Sequence, residues 1–461
     1  MSTQSIESIQ SAPAEVQDDL SLARNIKIGT FHIGSSMADI LLGGVWNRVA
    51  IAELGFGAFP ISLLLALRYF LAPLSVWVGQ RSDASPIFGY RRTPYIWLGR
   101  LMILISLVAI GFATVAAYET ASPIAWIVMI ASVILFSVGS AFSGTTYLAL
   151  IYDLAPPRQK TRVVSVVWFF LISGFAISGV LYSVLLRSYT REGFLQLFVI
   201  APIVMGAFWL LSVIGEERRV KTAPAEAPQP KPEMRPFWPA MREAWSNQQS
   251  RIFFWFLGLT TLFFYTQDGI LEPFAAQVFE MPTSTTNRFS SYWGSMTLIG
   301  IVVCLFLARR FPGRINNTSL SRWSVVILGV TFALFTLCAF AQIRALVTIC
   351  LIILGVGLGA WTVGTLGLMM DMTLITGAGL YLSLWTVSET LARGVGTLIG
   401  GAIRDVVLAL TQGNFAASYG AVFLFQAVGF LLTLLLLNRV NVRAFQATAP
   451  SPTMVIEAAM D

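Results

Sequence analysis

The chain has 461 residues, of which 56% are hydrophobic and 11% charged, with a mean hydropathy of +0.74. A soluble domain carries roughly 25% charged residues, so the composition excludes an ordinary soluble protein and predicts an all-α integral membrane protein. The net charge of +7 is no sign of nucleic-acid binding, because the basic residues sit beside apolar spans.

Residues 1–26 are polar and mixed in charge, which predicts a cytoplasmic tail without a cleavable signal peptide. About twelve helix-length apolar spans follow. The first half, residues 27–214, places them near 27–52, 56–79, 94–117, 123–148, 163–186 and 194–214. The second half, residues 252–439, places them near 252–279, 291–308, 322–341, 345–370, 379–403 and 419–437. Between the halves, residues 215–251 are rich in Pro, Ala and charge and read as a cytoplasmic linker. Its end, 237–251, is either a short interfacial helix with Phe237, Trp238, Met241 and Trp245 towards lipid, or irregular chain. Residues 440–461 form a second tail.

Lys and Arg set the orientation. With the amino terminus inside, the cytoplasmic segments hold Arg81, Arg91, Arg92, Arg158, Lys160, Arg162, the linker cations, Arg309, Arg310, Arg314, Arg439 and Arg443. The opposite face holds only Arg187, Arg191, Arg288, Arg344 and Arg404, so both termini are expected in the cytoplasm.

The first span, FHIGSSMADILLGGVWNRVAIAEL, carries His32, Asp39, Asn47, Arg48 and Glu53. Ionisable groups in hydrocarbon are costly and usually face a bundle interior or a water-filled cavity. A partial echo opens the second half, with Gln267, Asp268 and Glu272. Two such segments, one opening each half, predict a duplicated transporter-like bundle with a polar central path. Asp39 and Asp268 are candidates for transport or proton uptake, with structural pairing to Arg48 or Arg393 as the plainer reading. Asp268 and Glu272, four residues apart, are expected on one helix face. Arg48 is expected near the outer end of its span, where it can snorkel. Glu389 and Arg393 have the spacing of a helical ion pair, either self-neutralising or gating.

The duplication extends further. Asp153 ends the fourth span and Trp168 follows; Asp371 ends the tenth and Trp385 follows at nearly the same spacing. Two six-helix halves joined by a charged linker is the layout of the major facilitator fold. The loop GQRSDASPIFGYRR resembles that superfamily's loop signature through Gly79, Asp83, Gly89, Arg91 and Arg92. Asp83 can accept hydrogen bonds from a helix amino terminus or from the arginines, forming a latch that gates one face. Asp153 and Arg162 are expected to pair at the membrane surface.

His32 is the single histidine, and reads either as a hydrogen-bonded interfacial group or as a weak candidate ligand for a chlorophyll magnesium. Cys304, Cys338 and Cys350 lie within spans and read as small buried groups, with no metal spacing. No Walker loop, dinucleotide fingerprint or metalloprotease helix is present, and one histidine leaves no Ser-His-Asp logic, so an enzyme is not expected.

Several stretches together resemble the PucC/LhaA family, the bacteriochlorophyll-delivery branch of the major facilitator superfamily. They are LLGGVWNRVAIAELGF, the loop GQRSDASPIFGYRRTPYIWLG, DLAPPRQKTRVVSVVWF, YTQDGILEPFAAQVFEM and LWTVSETLARGVGTLIGGAIRD. The resemblance runs over residues 27–439; the NRV-x-I-x-EL and QD-x-x-LEP strings are its most specific parts. It implies work in antenna assembly in a phototroph. The ligand it implies is chlorophyll or bacteriochlorophyll, not covalently held, and the partners are light-harvesting polypeptides in the cytoplasmic or photosynthetic membrane. Carried over by motif are Asn47, Arg48 and Glu53; Gln267, Asp268, Glu272 and Pro273; and Arg393, Gly394, Gly400, Gly401 and Asp405. The Pro-rich linker, Trp46 and Ala50 depart from the pattern and leave subfamily and pigment type open. The alternatives are a non-transporting membrane chaperone for antenna polypeptides, and a proton-coupled exporter of small molecules.

Overall fold

The computed structural model describes residues 19–217, 219, 242, 245–312, 315–373 and 378–447. The tails 1–18 and 448–461, most of the linker including Phe237, Trp238 and Met241, and Arg314 lie outside the described residues. The described residues are helical, and the one β-bridge among them, Ile87 with Tyr90, closes a tight turn. Phe88 and Gly89 there take φ values of 52° and 80°, a left-handed pair that glycine tolerates without steric cost.

The first group of helices runs α1 (Leu22–Gly29), α2 (Phe31–Ile40), α3 (Ala58–Phe70), α4 (Leu74–Ala84), α5 (Thr93–Thr120), α6 (Pro123–Leu154), α7 (Lys160–Leu185) and α8 (Arg191–Val213). The second runs α9 (Gln248–Tyr265), α10 (Leu271–Phe279), α11 (Thr283–Thr286), α12 (Phe289–Arg310), α13 (Asn317–Ala341), α14 (Arg344–Asp371), α15 (Ala378–Leu410), α16 (Phe415–Leu437) and α17 (Val442–Gln446). Side-chain caps fix several starts: Ser122, Thr190, Asn247, Asn316 and Asn414 each accept a first-turn N–H. Pro123 opens α6, where a missing N–H costs nothing.

Among the described residues nine helices are long and apolar enough to cross a membrane. Two of the expected crossings are instead broken. The first passes from α2 into two π-helical turns, Leu41–Trp46 and Val49–Glu53, at the Gly43–Gly44 pair. Such local widening often marks functional sites. The seventh breaks between α9 and α10, where Gly269 takes a φ of +79°. Asp268 and Glu272 therefore stand on either side of a break and do not share one continuous helix face. The expected crossing at 379–403 lies in α15, which carries Glu389, Arg393, Arg404 and Asp405.

Within each group the helices pack closely: α5 on α6, α13 on α14 and α16, α12 on α14. The seam between groups is built by α3 against α15, α7 against α12, and the second π-turn against α10. Trp46, Trp209, Trp385 and Tyr147 fill the interior, while large apolar residues such as Ile203, Val302, Phe306 and Leu431 stay exposed on the outside. An apolar exterior of that extent is a lipid-facing surface, and the chain is a multi-pass membrane protein. Cys304, Cys338 and Cys350 are buried and free.

The internal echo is visible in the contacts. Asp153 at the end of α6 pairs with Arg92 at the start of α5 at 3.1 Å. Asp371 at the end of α14 accepts from Asn317 at the start of α13 at 2.9 Å. The echo stops at the tryptophans: Trp385 is fully buried, whereas Trp168 is exposed.

Candidate functional site

Midway along the seam, Arg68 of α3 reaches Asp39 of α2 at 3.0 Å and Asp268 at 3.7 Å. Asp39 and Asp268, expected to pair with Arg48 or Arg393, therefore share Arg68. Arg68 also donates to the Tyr69 hydroxyl at 2.7 Å. The Tyr69 ring lies 6.1 Å from that of Tyr265, over which Arg393 stacks at 4.8 Å. Two carboxylates and two guanidiniums are thus gathered from α2, α3, the α9–α10 break and α15. Charges at this depth persist because they are paired and laid on aromatic faces.

The cluster faces open space. The Asp39 side chain keeps 41% of its surface although it lies mid-span. A Cβ placed at Gly43, one turn on, would touch nothing within 4 Å, and the same holds at Gly144 of α6. His32, Ser35, Asp39 and Gly43 recur at three- and four-residue spacing and are all partly exposed, so one face of α2 and the turn after it lines a cavity.

One end of the cavity is closed. Asp405 of α15 accepts the backbone N–H groups of Ala58 and Phe59 at 3.0 and 2.8 Å, capping α3 from the other group. Arg404 holds Asp405 at 2.7 Å and donates to Gln277 at 2.7 Å; Gln277 in turn donates to the Ile51 carbonyl at 3.1 Å. Arg48 pairs with Glu53 at 2.5 Å and donates to the Met281 carbonyl at 3.1 Å. It is buried, so the expected snorkelling does not occur: its helix unwinds there, and a cross-group carbonyl takes the charge. Asn287 donates to the Tyr182 carbonyl and Arg288 to the Ser183 hydroxyl, both at 3.2 Å, between the second group and α7. Close helix approach seals the rest. A Cβ on Gly401 would lie 2.7 Å from the Ala58 carbonyl oxygen and 2.5 Å from Ser62 Oγ. Asn47 donates to the Gly43 carbonyl at 2.6 Å and abuts Gly269.

The basic loops lie at the other end. Arg92 pairs with Asp83 at 2.5 Å and with Asp153 at 3.1 Å. Asp153 thus meets Arg92 and not Arg162. Glu217 accepts the backbone N–H groups of Arg91, Arg92 and Thr93 at 2.6, 2.9 and 2.6 Å. It caps α5, the role open to Asp83 on sequence. Glu216 pairs with Arg24 and Lys27 at 2.5 and 2.7 Å. All these partners belong to the first group, so the Asp83–Arg92 latch ties that group together. The hydrogen bonds that join the two groups cluster at the closed end.

Other expectations separate. Glu389 and Arg393 form no ion pair; Arg393 turns to Tyr265, and its Nε has no hydrogen-bond partner. Gln267 Oε1 is buried without a partner, and Glu272 lies against Gly44, 3.8 Å from an ideal Cβ there. His32 sits edge-on to Phe31 and Tyr147, its Nδ1 buried without a hydrogen-bond partner. Among the described residues no cluster of His, Cys, Asp or Glu could hold a metal ion. Residues that the sequence did not mark include Arg68, Arg100, Gln277 and Glu217. Arg68 lies inside the expected 56–79 span but goes unmarked there, and Gln277 and Glu217 act only through contacts distant in sequence.

A family model described as PUCC protein matches residues 45–445. Protein PucC of Rhodovulum sulfidophilum is 28% identical over 401 residues, covering 85% of this chain and 87% of that protein. The bacteriochlorophyll synthase 44.5 kDa chain of Rhodobacter capsulatus is 27% identical over 441 residues, covering 93% and 97%. Among solved structures, a bacterial homologue of the human lysosomal transporter Spinster, inward-facing and unoccupied, superposes with a TM-score of 0.71 at 14% identity, covering 94% of this chain and 98% of that one. A bacterial homologue of the iron transporter ferroportin, also inward-facing, gives 0.60 at 15% identity, covering 90% and 99%. These likenesses show a major facilitator fold.

Proposed function

The chain belongs to the PUCC protein family, and from that premise we propose that it handles chlorophyll or bacteriochlorophyll during assembly of light-harvesting antennae, as a pigment carrier and not as an enzyme. The observation that carries the reading is the Arg68 bridge between Asp39 and Asp268 at the edge of an open central cavity. A bridge across the seam is where a change of charge alters how two halves meet. In this account residues 27–214 and 252–439 rock about the seam. Protonation of Asp39 or Asp268 loosens Arg68 and favours the opposite opening. The basic loops lie in the cytoplasm by charge bias, so the cavity described here opens inward and both termini are inside. The names of relatives support the pigment: one is called a bacteriochlorophyll synthase chain, and others PucC.

The test is the level of assembled antenna in a phototroph that carries Asp268→Asn in place of the native residue. A carrier driven by this bridge loses most antenna complex while the protein itself remains in the membrane. Normal antenna at normal protein levels overturns the charge-driven cycle and favours a scaffold that holds antenna helices on its lipid-facing surface.

A further inference from the structure

Arg100 lies on α5, inside the first group, and keeps 8% of its surface. Its guanidinium lies in the angle between the rings of Phe31 and Trp209, 4.4 and 4.5 Å from their centroids, which are 6.4 Å apart. A guanidinium carries five N–H donors. None of them meets a protein acceptor among the described residues. Nε is wholly enclosed, whereas the two Nη atoms are not. Among the described residues it has no ion pair, and Asp39 of α2 is bonded instead to Arg68 at 3.0 Å. His32 stands one turn before Asp39's turn on the same cavity-lining face, with its own Nδ1 unpartnered. Buried charges are normally paired as well as packed. Here the packing is complete and the pairing is missing.

We propose that Arg100, with His32 beside it, is an anion-recognition point on the cavity wall that takes a carboxylate of an otherwise apolar ligand. The proposal rests on the carrier reading above and narrows it: chlorophyll and bacteriochlorophyll are esters without a free carboxylate, so the form this site takes is the unesterified pigment precursor, and the esterified pigment is the poorer ligand. Two aromatic side chains hold the guanidinium in place, and its forked donors match a bidentate carboxylate. Phe31 itself is held in place by Tyr147, whose ring stacks on it at 3.7 Å and whose hydroxyl donates to the Ile28 carbonyl at 2.7 Å.

The test uses the full chain in lipid nanodiscs, with empty nanodiscs subtracted, and reads binding by quenching of tryptophan fluorescence. Two matched pairs serve as probes: pyropheophorbide a against its methyl ester, and laurate against methyl laurate. The wild type prefers the acid by about ten-fold or more in at least one pair, the range for hydrogen bonds to a charged group. In Arg100→Gln the preference falls to about two-fold or less, and in Arg100→Lys, a point charge without the fork, it shrinks in part. If Arg100→Gln does not yield folded protein, the partial loss in Arg100→Lys decides. Equal affinity for acid and ester in both pairs, an acid preference that survives loss of Arg100, or no binding of any probe overturns the site. An Arg100-dependent preference for laurate with no binding of either tetrapyrrole upholds the site while defeating the pigment reading.

Discussion

Asp405 of α15 accepts the backbone N–H of Phe59 at 2.8 Å, so one helix group supplies the cap for a helix of the other. Removing a cap costs about 0.5–2 kcal/mol, and asparagine caps nearly as well as aspartate. Asp405→Ala therefore lowers stability in thermal unfolding by about that amount, and Asp405→Asn by clearly less. Both remove the negative partner of Arg404, which keeps its bond to Gln277, but only the alanine variant leaves the first turn of α3 without its cap. Cysteines placed at the closed end should become more reactive to a water-soluble thiol reagent in Asp405→Ala.

Arg68 holds two carboxylates, so its removal leaves like charges facing one another across the seam. Arg68→Gln destabilises by about 1–3 kcal/mol, the cost of leaving a charged partner unmet. Arg68→Gln combined with Asp39→Asn is less damaging than the two single effects added, with a coupling of about 0.5–3 kcal/mol. A double-mutant cycle on unfolding midpoints in detergent reads this directly; strict additivity would mean that the bridge contributes nothing.

How much of this was legible in the sequence follows from what each residue's signal depends on. Asp39 and Asp268 stood out because a carboxylate within an apolar run is conspicuous, and the structure brings them to one cation. That cation was not marked: Arg68 sits in the middle of the expected 56–79 span, in LLLALRYF, and its partners come from other helices. Arg100 was hidden the same way, near the start of a span. The breaks at Gly43–Gly44 and Gly269 were not foreseen, because hydropathy counts residues and does not see backbone conformation. Pairings inferred from spacing alone failed. Asp153 chose Arg92 over Arg162, and Glu389 did not take Arg393, since contacts from other helices outweigh proximity in sequence.

Gly401 marks the closest approach of α3 and α15. An added methyl group would meet the Ala58 carbonyl oxygen at 2.7 Å, and backbone yields less readily than a side chain. Gly401→Ala forces the helices apart and costs about 1–3 kcal/mol, as overpacking does. Gly43→Ala, facing open space, leaves the unfolding midpoint unchanged or slightly raised, since alanine is the better helix former. Comparable losses in both variants would contradict the close seam.

Glu217 ties down the 85–93 loop through three backbone N–H groups. Glu217→Gln weakens charge-assisted bonds worth about 1.5–3 kcal/mol each to a weaker neutral set. Trypsin then cuts at Arg91 several-fold faster. The thiol reactivity of the closed end stays as in the wild type, because this lacework lies within the first group. A simultaneous opening of the closed end would show that the loop gates the seam after all.

The most direct measurement of the central claim is the pigment content of the protein purified gently from its native membrane, wild type against Gly43→Trp. A Cβ at Gly43 meets open space, so a tryptophan there projects its bulk towards the cavity. The account predicts stoichiometric chlorophyll or bacteriochlorophyll in the wild type without antenna polypeptides, and its loss from Gly43→Trp at unchanged protein yield. Pigment retained in full by Gly43→Trp, or found only with copurifying antenna polypeptides, would contradict carriage through the cavity.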